Sequence, residues 1–254
     1  MPQNNWTREE HIVAFNLYCK IPFTKINENY PPVIELAKII RRSNGAVSRK
    51  LANFARLDPA LQARNVSGLT HGAKGEETVW HEFHGNWEQL AFESEIILAK
   101  YKGISVESTV DLTDLPEIKE GKERESVVRT RVNQSFFRST VLASYNQTCC
   151  ITGIQVPQIL IASHIVPWAK NEMERMNPQN GLCLNALHDK AFDKGFITVT
   201  PDYKIKVSDQ LKTKLDIETG QFFLPYENRK ILLPGRFAPK KEFLEYHFKE
   251  IFLK

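Results

Sequence analysis

The sequence predicts an α+β protein in which an all-helical N-terminal domain precedes a C-terminal domain that combines short strands with helices. Three observations lead to this prediction. Apolar residues recur at helical spacing through the first hundred residues, strand-like runs separated by turn residues occur within 149–207, and an acidic stretch lies between the two regions. The chain has 254 residues, which is enough for two domains of ordinary size.

The N-terminal helices are marked by their caps and apolar stripes. Thr7, followed three residues later by Glu10, predicts a capping box at the start of the first helix. Pro31 and Pro32 are typical of the start of the second, and the glycine-containing turn 41–45 separates it from the third. The predicted helices of this domain, residues 1–105, cover 6–20, 33–40, 46–57, 76–84 and 87–101, with a loop over 58–75.

A basic surface is predicted around the second and third helices. The window 36–57 contains no acidic residue. A helix, a short turn and a basic helix resemble a helix-turn-helix, in which the start of the second helix meets base edges. An ordinary solvated helix face is the alternative explanation. The candidate nucleic-acid-binding residues here are Arg41, Arg42, Ser48 and Arg49.

An acidic segment is predicted to link the two domains. Seven acidic residues fall between Glu107 and Glu125, and 106–125 is therefore the predicted linker. The window 126–171 is again free of acids and opens with a predicted helix over 127–145. Arg131 and Arg138 on this helix are candidates for phosphate contacts, because arginine forks suit phosphate oxygens, or else they are solvated charges. Residues 126–254 form the second predicted domain.

Composition excludes several classes of protein. There is no run of eighteen apolar residues and no apolar signal core at the N-terminus, so neither a membrane span nor secretion is expected and the predicted location is cytoplasmic. The net charge of +4 permits a nucleic-acid partner. The four cysteines form no C-x-x-C pair, so a structural zinc site and disulfides are not expected, and we interpret them as small buried apolar residues.

The segment 149–207 carries the pattern with most chemical content. A strand-like run over 159–165 contains His164 and is broken by Pro167. A loop over 177–181 follows, and then a short helix over 185–194 that Gly195 ends. The runs 196–200 and 204–207 predict a closing hairpin. The resulting order of elements is ββα, with a histidine on the strand and another on the helix.

At this point the sequence resembles the HNH endonucleases, the ββα-metal group, and most closely the bacterial restriction-type HNH proteins. The resemblance covers about residues 127–200. Its motifs are SHIVPW at 163–168, NPQNGL at 177–182 and LHDKAFDKG at 187–195, with CITG at 150–153 and a lead-in helix carrying Arg131, Gln134 and Arg138.

The resemblance implies catalytic roles for His164, Asn180 and His188. Phosphodiester hydrolysis needs an activated water, and histidine is suited to accept its proton near neutral pH, which makes His164 the expected general base. His188 is the expected ligand of a divalent metal ion, Mg²⁺ or Mn²⁺, that acts as a Lewis acid. Asn180 is expected to pin the loop by side-chain hydrogen bonds to the backbone and so orient His164.

One position departs from the family pattern. Many HNH enzymes have Asp or His directly before the general base as a metal ligand, and this chain has Ser163. A neutral hydroxyl binds Mg²⁺ poorly compared with a carboxylate. Asp189 and Asp193 lie on the helix that carries His188 and are candidates to replace the missing ligand, so the expected metal ligands are His188, Asp189 and Asp193.

The sequence therefore predicts a metal-dependent endonuclease that cleaves double-stranded DNA, in a restriction or defence role and without a membrane partner. A non-catalytic DNA-binding protein with a degenerate HNH fold is the alternative, and Ser163 favours it. An RNA-directed nuclease is a third hypothesis. The oligomeric state is open, with a homodimer as one alternative.

Overall fold

The computed structural model describes residues 5–65, 72–110 and 122–254. The chain divides into two compact units, Met1–Thr140 and Val141–Lys254. The first is helical and the second contains two small sheets and helices, which confirms the α+β prediction. The division falls within one long helix, later in the chain than the predicted linker. Most of that linker lies outside the described residues, so the predicted domain limits stay a prediction.

The first unit is built around its N-terminal helix. Thr7 forms the predicted capping box with Glu10 at the start of this helix. Phe15 is buried on the helix and its ring centroid lies 4.9 Å from that of Phe54 and 5.1 Å from that of Trp80. The described helices of this unit are α1 (Arg8–Lys20), α2 (Pro31–Ile40), α3 (Asn44–Leu57), α4 (Pro59–Gln62), α5 (Lys74–Phe83), α6 (Trp87–Lys102) and α7 (Lys122–Ser144), the last crossing into the second unit.

Two of the departures from the sequence prediction, at α3 and at α4, are explained by capping side chains. Helix α3 begins at Asn44 rather than at residue 46, because the Ser43 side chain accepts a hydrogen bond from the Ala46 amide and caps the helix. Helix α4 lies in a segment predicted to be a loop. Asp58 caps it by accepting from the Ala60 amide, and Pro59 occupies its first position. In both cases a capping side chain starts the helix where apolar spacing gives no signal.

The second unit contains the predicted ββα arrangement. Strands β1 (Leu160–His164) and β2 (Gly181–Asn185) pair antiparallel, with His164 opposite Gly181. Helix α8 (Ala186–Asp193) follows β2 and packs on both strands. The remaining elements are the hairpin of β3 (Ile197–Val199) and β4 (Ile205–Val207), the short helices α9 (Asp209–Lys212) and α10 (Ile217–Gly220), and α11 (Lys241–Glu250).

Both ends of helix α8 are fixed by specific contacts. Asn185 caps its start through hydrogen bonds from the Leu187 and His188 amides. Gly195, which the sequence predicts as the helix stop, has a φ of +72°. A Cβ atom at this position would lie 2.1 Å from the Ile251 carbonyl oxygen, so only glycine fits without a shift of the backbone. The helix that carries His188 is thus held at both of its ends.

His247 on helix α11 is part of the core of the second unit. Its ring stacks on Phe192 with centroids 3.6 Å apart, and Nδ1 lies 2.8 Å from the Thr198 hydroxyl. Nε2 donates to the Phe192 carbonyl at 3.2 Å. Burial lowers the pKa of His247 to about 4. This histidine, to which the sequence assigns no role, joins α8, β3 and α11.

Among the described helices, none is long and apolar enough to cross a membrane.

Candidate active site

The loop after strand β1 is anchored by a buried asparagine. Asn180 is 0% exposed, and its Oδ1 accepts a hydrogen bond from the Val166 amide at 2.8 Å. Its Nδ2 donates to the Val166 carbonyl at 3.1 Å, and its own carbonyl accepts from the Ile165 amide. These are side-chain hydrogen bonds to backbone of the kind expected for this residue. They fix the chain directly after His164.

His164 stands at the end of β1 with one ring nitrogen committed to a backbone group. Its Nε2 lies 3.0 Å from the Arg175 carbonyl oxygen. Because a carbonyl only accepts, Nε2 carries the proton in this contact and Nδ1 carries the lone pair. Burial lowers the pKa of His164, and the hydrogen bond to Arg175 opposes part of that effect. A neutral imidazole with its lone pair on Nδ1 is a suitable proton acceptor.

The indole of Trp168 lies beside His164. The two rings meet edge-on at 5.4 Å, and the Arg175 guanidinium lies 5.1 Å from the centre of the Trp168 ring. Trp168 thus packs against His164 and Arg175. Arg175 therefore contacts both residues: its backbone carbonyl accepts from His164, and its guanidinium packs on the Trp168 ring.

His188 is buried in the first turn of α8. The residue is 3% exposed, and its Nδ1 lies 3.1 Å from Asn185 Oδ1. Its Nε2 is buried and makes no hydrogen bond with the described residues. Burial lowers the pKa of His188, while the nearby Phe222 carbonyl favours the protonated form. The rings of Phe223 and Tyr226 pack on the imidazole at 5.4 and 5.6 Å.

Ser163 faces helix α8 rather than the loop that contacts His164. Its hydroxyl is buried and has no hydrogen bond of good geometry within the described structure, yet it lies close enough to Asp189 to stabilise that carboxylate. Burial raises the pKa of Asp189, Ser163 opposes the rise, and the charge of Asp193 adds to it. Successive side chains of a strand alternate between faces, which explains why Ser163 and His164 meet different neighbours.

The three expected metal ligands do not assemble into one site. Across 5–65, 72–110 and 122–254, no group of three or more His, Cys, Asp or Glu side chains is arranged to hold a metal ion. His188 points into the core beneath Phe223 and Tyr226, whereas Asp193 is exposed one helical turn beyond Asp189. No such group contains His188, Asp189 and Asp193 among the described residues, and this ligand set stays a prediction.

Comparison with known families agrees with this geometry. Residues 149–200 match the model of the HNH endonuclease family, and this segment contains β1, β2, α8 and β3. The chain carries an HNH endonuclease domain. The match spans 52 of the 254 residues. Comparison with curated proteins finds no match for the chain.

Outside the HNH domain, the residues predicted to bind DNA through α2 and α3 have unequal surroundings. Arg42 forms two hydrogen bonds of 2.8 Å to the Glu10 carboxylate, and its guanidinium lies 5.2 Å from the centre of the Trp6 ring. Arg42 is therefore engaged in packing α2 on α1. Arg41 and Arg49 are exposed and Ser48 is half-buried. Arg41 and Arg49 therefore present exposed positive charge on this surface, whereas Arg42 is paired.

The inner side of α3 is also committed to structure. Lys50 makes a buried ion pair with Glu76, and Asn53 donates to the same carboxylate at 2.8 Å. The Lys50 ammonium also lies 4.7 Å from the centre of the Trp6 ring. The basic window in the sequence thus contains both structural and exposed charges, and its net charge overstates what is available to a ligand.

Helix α7 presents its two predicted arginines to a groove of about 370 Å³. Arg131 and Arg138 are seven residues apart and so lie on one face of the helix. The groove contains no acidic side chain among its lining residues, which are Thr109, Val110, Arg131, Gln134, Ser135 and Arg138. Its charge and its hydrogen-bond donors suit a run of phosphates.

Three features of the HNH domain were missed by sequence reasoning. The predicted helix 185–194 includes Asn185, which in the structure is the N-cap; an Asn before an apolar helix is an available signal for that role. The Arg175 carbonyl carries no side-chain signature. Phe223 and Tyr226 lie more than thirty residues from His188 in the chain, so no local pattern joins them to it.

Proposed function

We propose that this protein is a metal-dependent endonuclease that hydrolyses phosphodiester bonds of double-stranded DNA. The HNH match indicates a nuclease, and the choice of DNA and the requirement for metal are parts of the proposal. The proposal extends to a restriction-type role, in which the helical unit selects the DNA and the HNH domain cuts it.

One observation carries the proposal. Each of the two histidines of the HNH motif has one ring nitrogen bound to an oxygen acceptor, His164 through Nε2 and His188 through Nδ1. The opposite nitrogen of each ring therefore holds a lone pair. Two neutral histidines held in defined tautomers supply a base and a metal ligand, and these are the two groups that water activation and metal binding require.

The residues present fit a divalent cation, although with fewer protein ligands than expected. His188 Nε2 is a buried lone pair without a hydrogen bond, and Asp189 beside Ser163 supplies a carboxylate on the same helix. When bound, the cation would stabilise negative charge on the scissile phosphate and the leaving oxygen. Two protein ligands are sufficient for an ion such as Mg²⁺, which usually retains waters and binds substrate phosphates.

In this proposal His164 takes the proton of the attacking water at Nδ1. The Arg175 carbonyl holds the ring by accepting from Nε2, and Asn180 keeps the following loop in place through Val166. The lowered pKa of His164 keeps the ring neutral and able to accept a proton at neutral pH. Arg131 and Arg138 in the groove of α7 would bind backbone phosphates.

The test is cleavage of supercoiled plasmid by the full chain with Mg²⁺, with Mn²⁺ and with EDTA, alongside a structured RNA. We expect nicked or linear DNA with metal and none with EDTA. Because an imidazole ligand suits Mn²⁺ better than Mg²⁺, the faster reaction is expected with Mn²⁺. Cleavage of RNA alone, or DNA cleavage unaffected by EDTA, would contradict the proposal.

A second candidate is a DNA-binding protein with an inactive HNH fold. Ser163 in place of a ligand and the lack of a three-ligand cluster among the described residues favour it. This protein would bind DNA and leave the plasmid intact under every metal condition. Binding without cleavage in the assay above therefore selects this candidate.

A further inference from the structure

Asn185, outside the three residues that name the HNH motif, makes more polar contacts with His188 than any other described residue. We propose that Asn185 is a positioning residue that fixes the ring of His188 in its Nδ1–H form, so that Nε2 is the atom that binds the metal. The inference deepens the proposed function and rests on it for the metal ion. The geometry of the ring itself does not depend on that function.

The Asn185 side-chain oxygen accepts three hydrogen bonds, each 3.1 Å long. Two come from the backbone amides of Leu187 and His188 and cap helix α8. The third joins it to Nδ1 of His188. A single oxygen therefore sets both the start of the helix and the orientation of the imidazole carried in its first turn.

The amide of Asn185 cannot be turned over without losing these contacts. Its Nδ2 lies 3.1 Å from the Thr152 hydroxyl and 3.6 Å from Cys149 Sγ, and its backbone amide donates to the same sulfur at 3.3 Å. The other end faces two backbone N–H groups, which can only donate. Oδ1 is thus the atom that faces His188, and since an amide oxygen only accepts, Nδ1 must carry the hydrogen.

Packing restricts rotation of the His188 ring toward other hydrogen-bond partners. Phe223 and Tyr226 cover it, and the residue is 3% exposed. The competing acceptor is the Phe222 backbone carbonyl, which opposes the burial-driven fall in the pKa of His188. The contact with Asn185 decides between the two arrangements: Nδ1–H leaves a lone pair on Nε2, whereas Nε2–H directed at Phe222 would leave none for a metal.

Two substitutions separate this role from helix capping. Asn185→Ser keeps a good N-cap but its hydroxyl is too short to serve the helix and reach Nδ1. Asn185→Asp keeps the cap and an acceptor for Nδ1 while losing the donor to Thr152 and Cys149. Ser208→Ala is the matched control, because it removes a buried N-cap of helix α9 in the same unit without touching His188.

The first readout is the tautomer of His188 in the metal-free full chain, from long-range ¹H–¹⁵N NMR with the signal assigned through His188→Gln. We expect Nδ1–H in the wild type, Asn185→Asp and Ser208→Ala, and loss of that preference in Asn185→Ser. Wild-type His188 in the Nε2–H form, or Asn185→Ser with an unchanged tautomer, overturns the proposal. This readout needs neither metal nor cleavage.

The second readout is Mn²⁺ affinity by calorimetry. Loss of a group that orients a metal-binding histidine typically weakens affinity by about 10–100-fold. We expect that loss for Asn185→Ser and less than a few-fold change for Asn185→Asp and Ser208→Ala. Equal affinity of Asn185→Ser and wild type, or equal losses in the Ser and Asp variants, contradicts the role of Asn185. A wild type that binds no Mn²⁺ while His188 keeps Nδ1–H contradicts the proposed function instead.

Discussion

Ser163 and Asp189 show at the scale of single residues how the HNH domain departs from its family pattern. The Ser163 hydroxyl is buried and faces the Asp189 carboxylate across the contact between β1 and α8. A carboxylate at position 163 would therefore stand against a second carboxylate. Two carboxylates held close together raise each other's pKa and cost stability, whereas a divalent cation between them would remove the repulsion.

We predict that Ser163→Asp lowers the melting temperature of the metal-free protein and that saturating Mg²⁺ or Mn²⁺ restores it. The substitution should also preserve or raise Mg²⁺-dependent cleavage, because it adds a hard oxygen ligand. Differential scanning calorimetry with and without metal measures the first effect, with Ser163→Ala as the uncharged control. A metal-independent loss of stability equal in both variants contradicts this description of the site.

The buried His247 leads to a prediction about the pH dependence of stability that is independent of the HNH motif. Its pKa is about 4 in the folded protein because it is buried, and about 6.5 when exposed in the unfolded chain. Between about pH 6.5 and pH 4 the histidine is protonated in the unfolded chain but stays neutral in the folded protein, so the free energy of unfolding decreases as pH falls through this range. Below about pH 4 both states are protonated, and this group causes no further loss. The loss from this group amounts to at most about 3 kcal/mol.

His247→Gln removes that titration. We expect the variant to be less stable than wild type at pH 7, through the lost contacts with Thr198 and Phe192, and to lose less stability on acidification between about pH 6.5 and 4. Chemical denaturation at several pH values measures both. Parallel pH curves for the two proteins would show that His247 is not the titrating group.

At the scale of elements, substitutions in α3 test whether the N-terminal unit binds DNA. Arg49 is exposed near the start of this helix, whereas Arg42 is bound to Glu10. We predict that Arg49→Ala weakens DNA binding, by about 1–3 kcal/mol if a base contact is lost, or with a flatter salt dependence if a phosphate contact is lost.

Arg42→Ala is the matched comparison, because it removes an arginine of the same basic window. It should lower thermal stability, since it leaves the Glu10 carboxylate without its bidentate partner. Fluorescence anisotropy at several salt concentrations, together with thermal melts, distinguishes the two variants. An Arg49→Ala protein with unchanged affinity and salt slope would identify α3 as a solvated helix face.

The elements that carry strong local signals are the ones that sequence reasoning predicted well. The capping box of Thr7 and Glu10, the ββα order and the helix stop at Gly195 each depend on residues close together in the chain. The adjacent arginines Arg41 and Arg42 look equivalent in sequence, and only the tertiary structure separates the exposed Arg41 from the half-buried Arg42, which pairs with Glu10. Contacts between distant segments have no local signal, which is why the cover over His188 was not predicted.

The expected metal ligands show the same limit of sequence-based prediction for the site. His188, Asp189 and Asp193 share a helix, and helical spacing alone cannot tell that His188 points inward while Asp193 is exposed. That difference arises from segment 222–226, which packs on His188, and from the strand that contributes Ser163. The positions of the two histidines in the HNH motif could be read from the sequence because the motif is local, whereas the surroundings of each side chain depend on packing from elsewhere.

At the scale of the whole molecule, the net charge of +4 is modest, and much of the basic charge is engaged by nearby acids. Affinity for DNA should therefore depend on a few exposed arginines rather than on the overall field. The candidates are the exposed Arg41 and Arg49 on the helical surface, and the exposed Arg138 with the half-buried Arg131 in the groove of α7.

The central claim is that His164 acts as the base of a metal-dependent DNA nuclease. The most direct measurement compares single-turnover cleavage of plasmid DNA in Mn²⁺ by wild type, His164→Ala and His81→Ala, with DNA affinity measured in parallel. His81 is an exposed histidine of α5 and serves as the control. We predict that His164→Ala loses roughly 10²–10⁴-fold in rate and keeps its DNA affinity, while His81→Ala is unchanged. Cleavage by His164→Ala at the rate of the wild-type protein would contradict the role of His164 as the base.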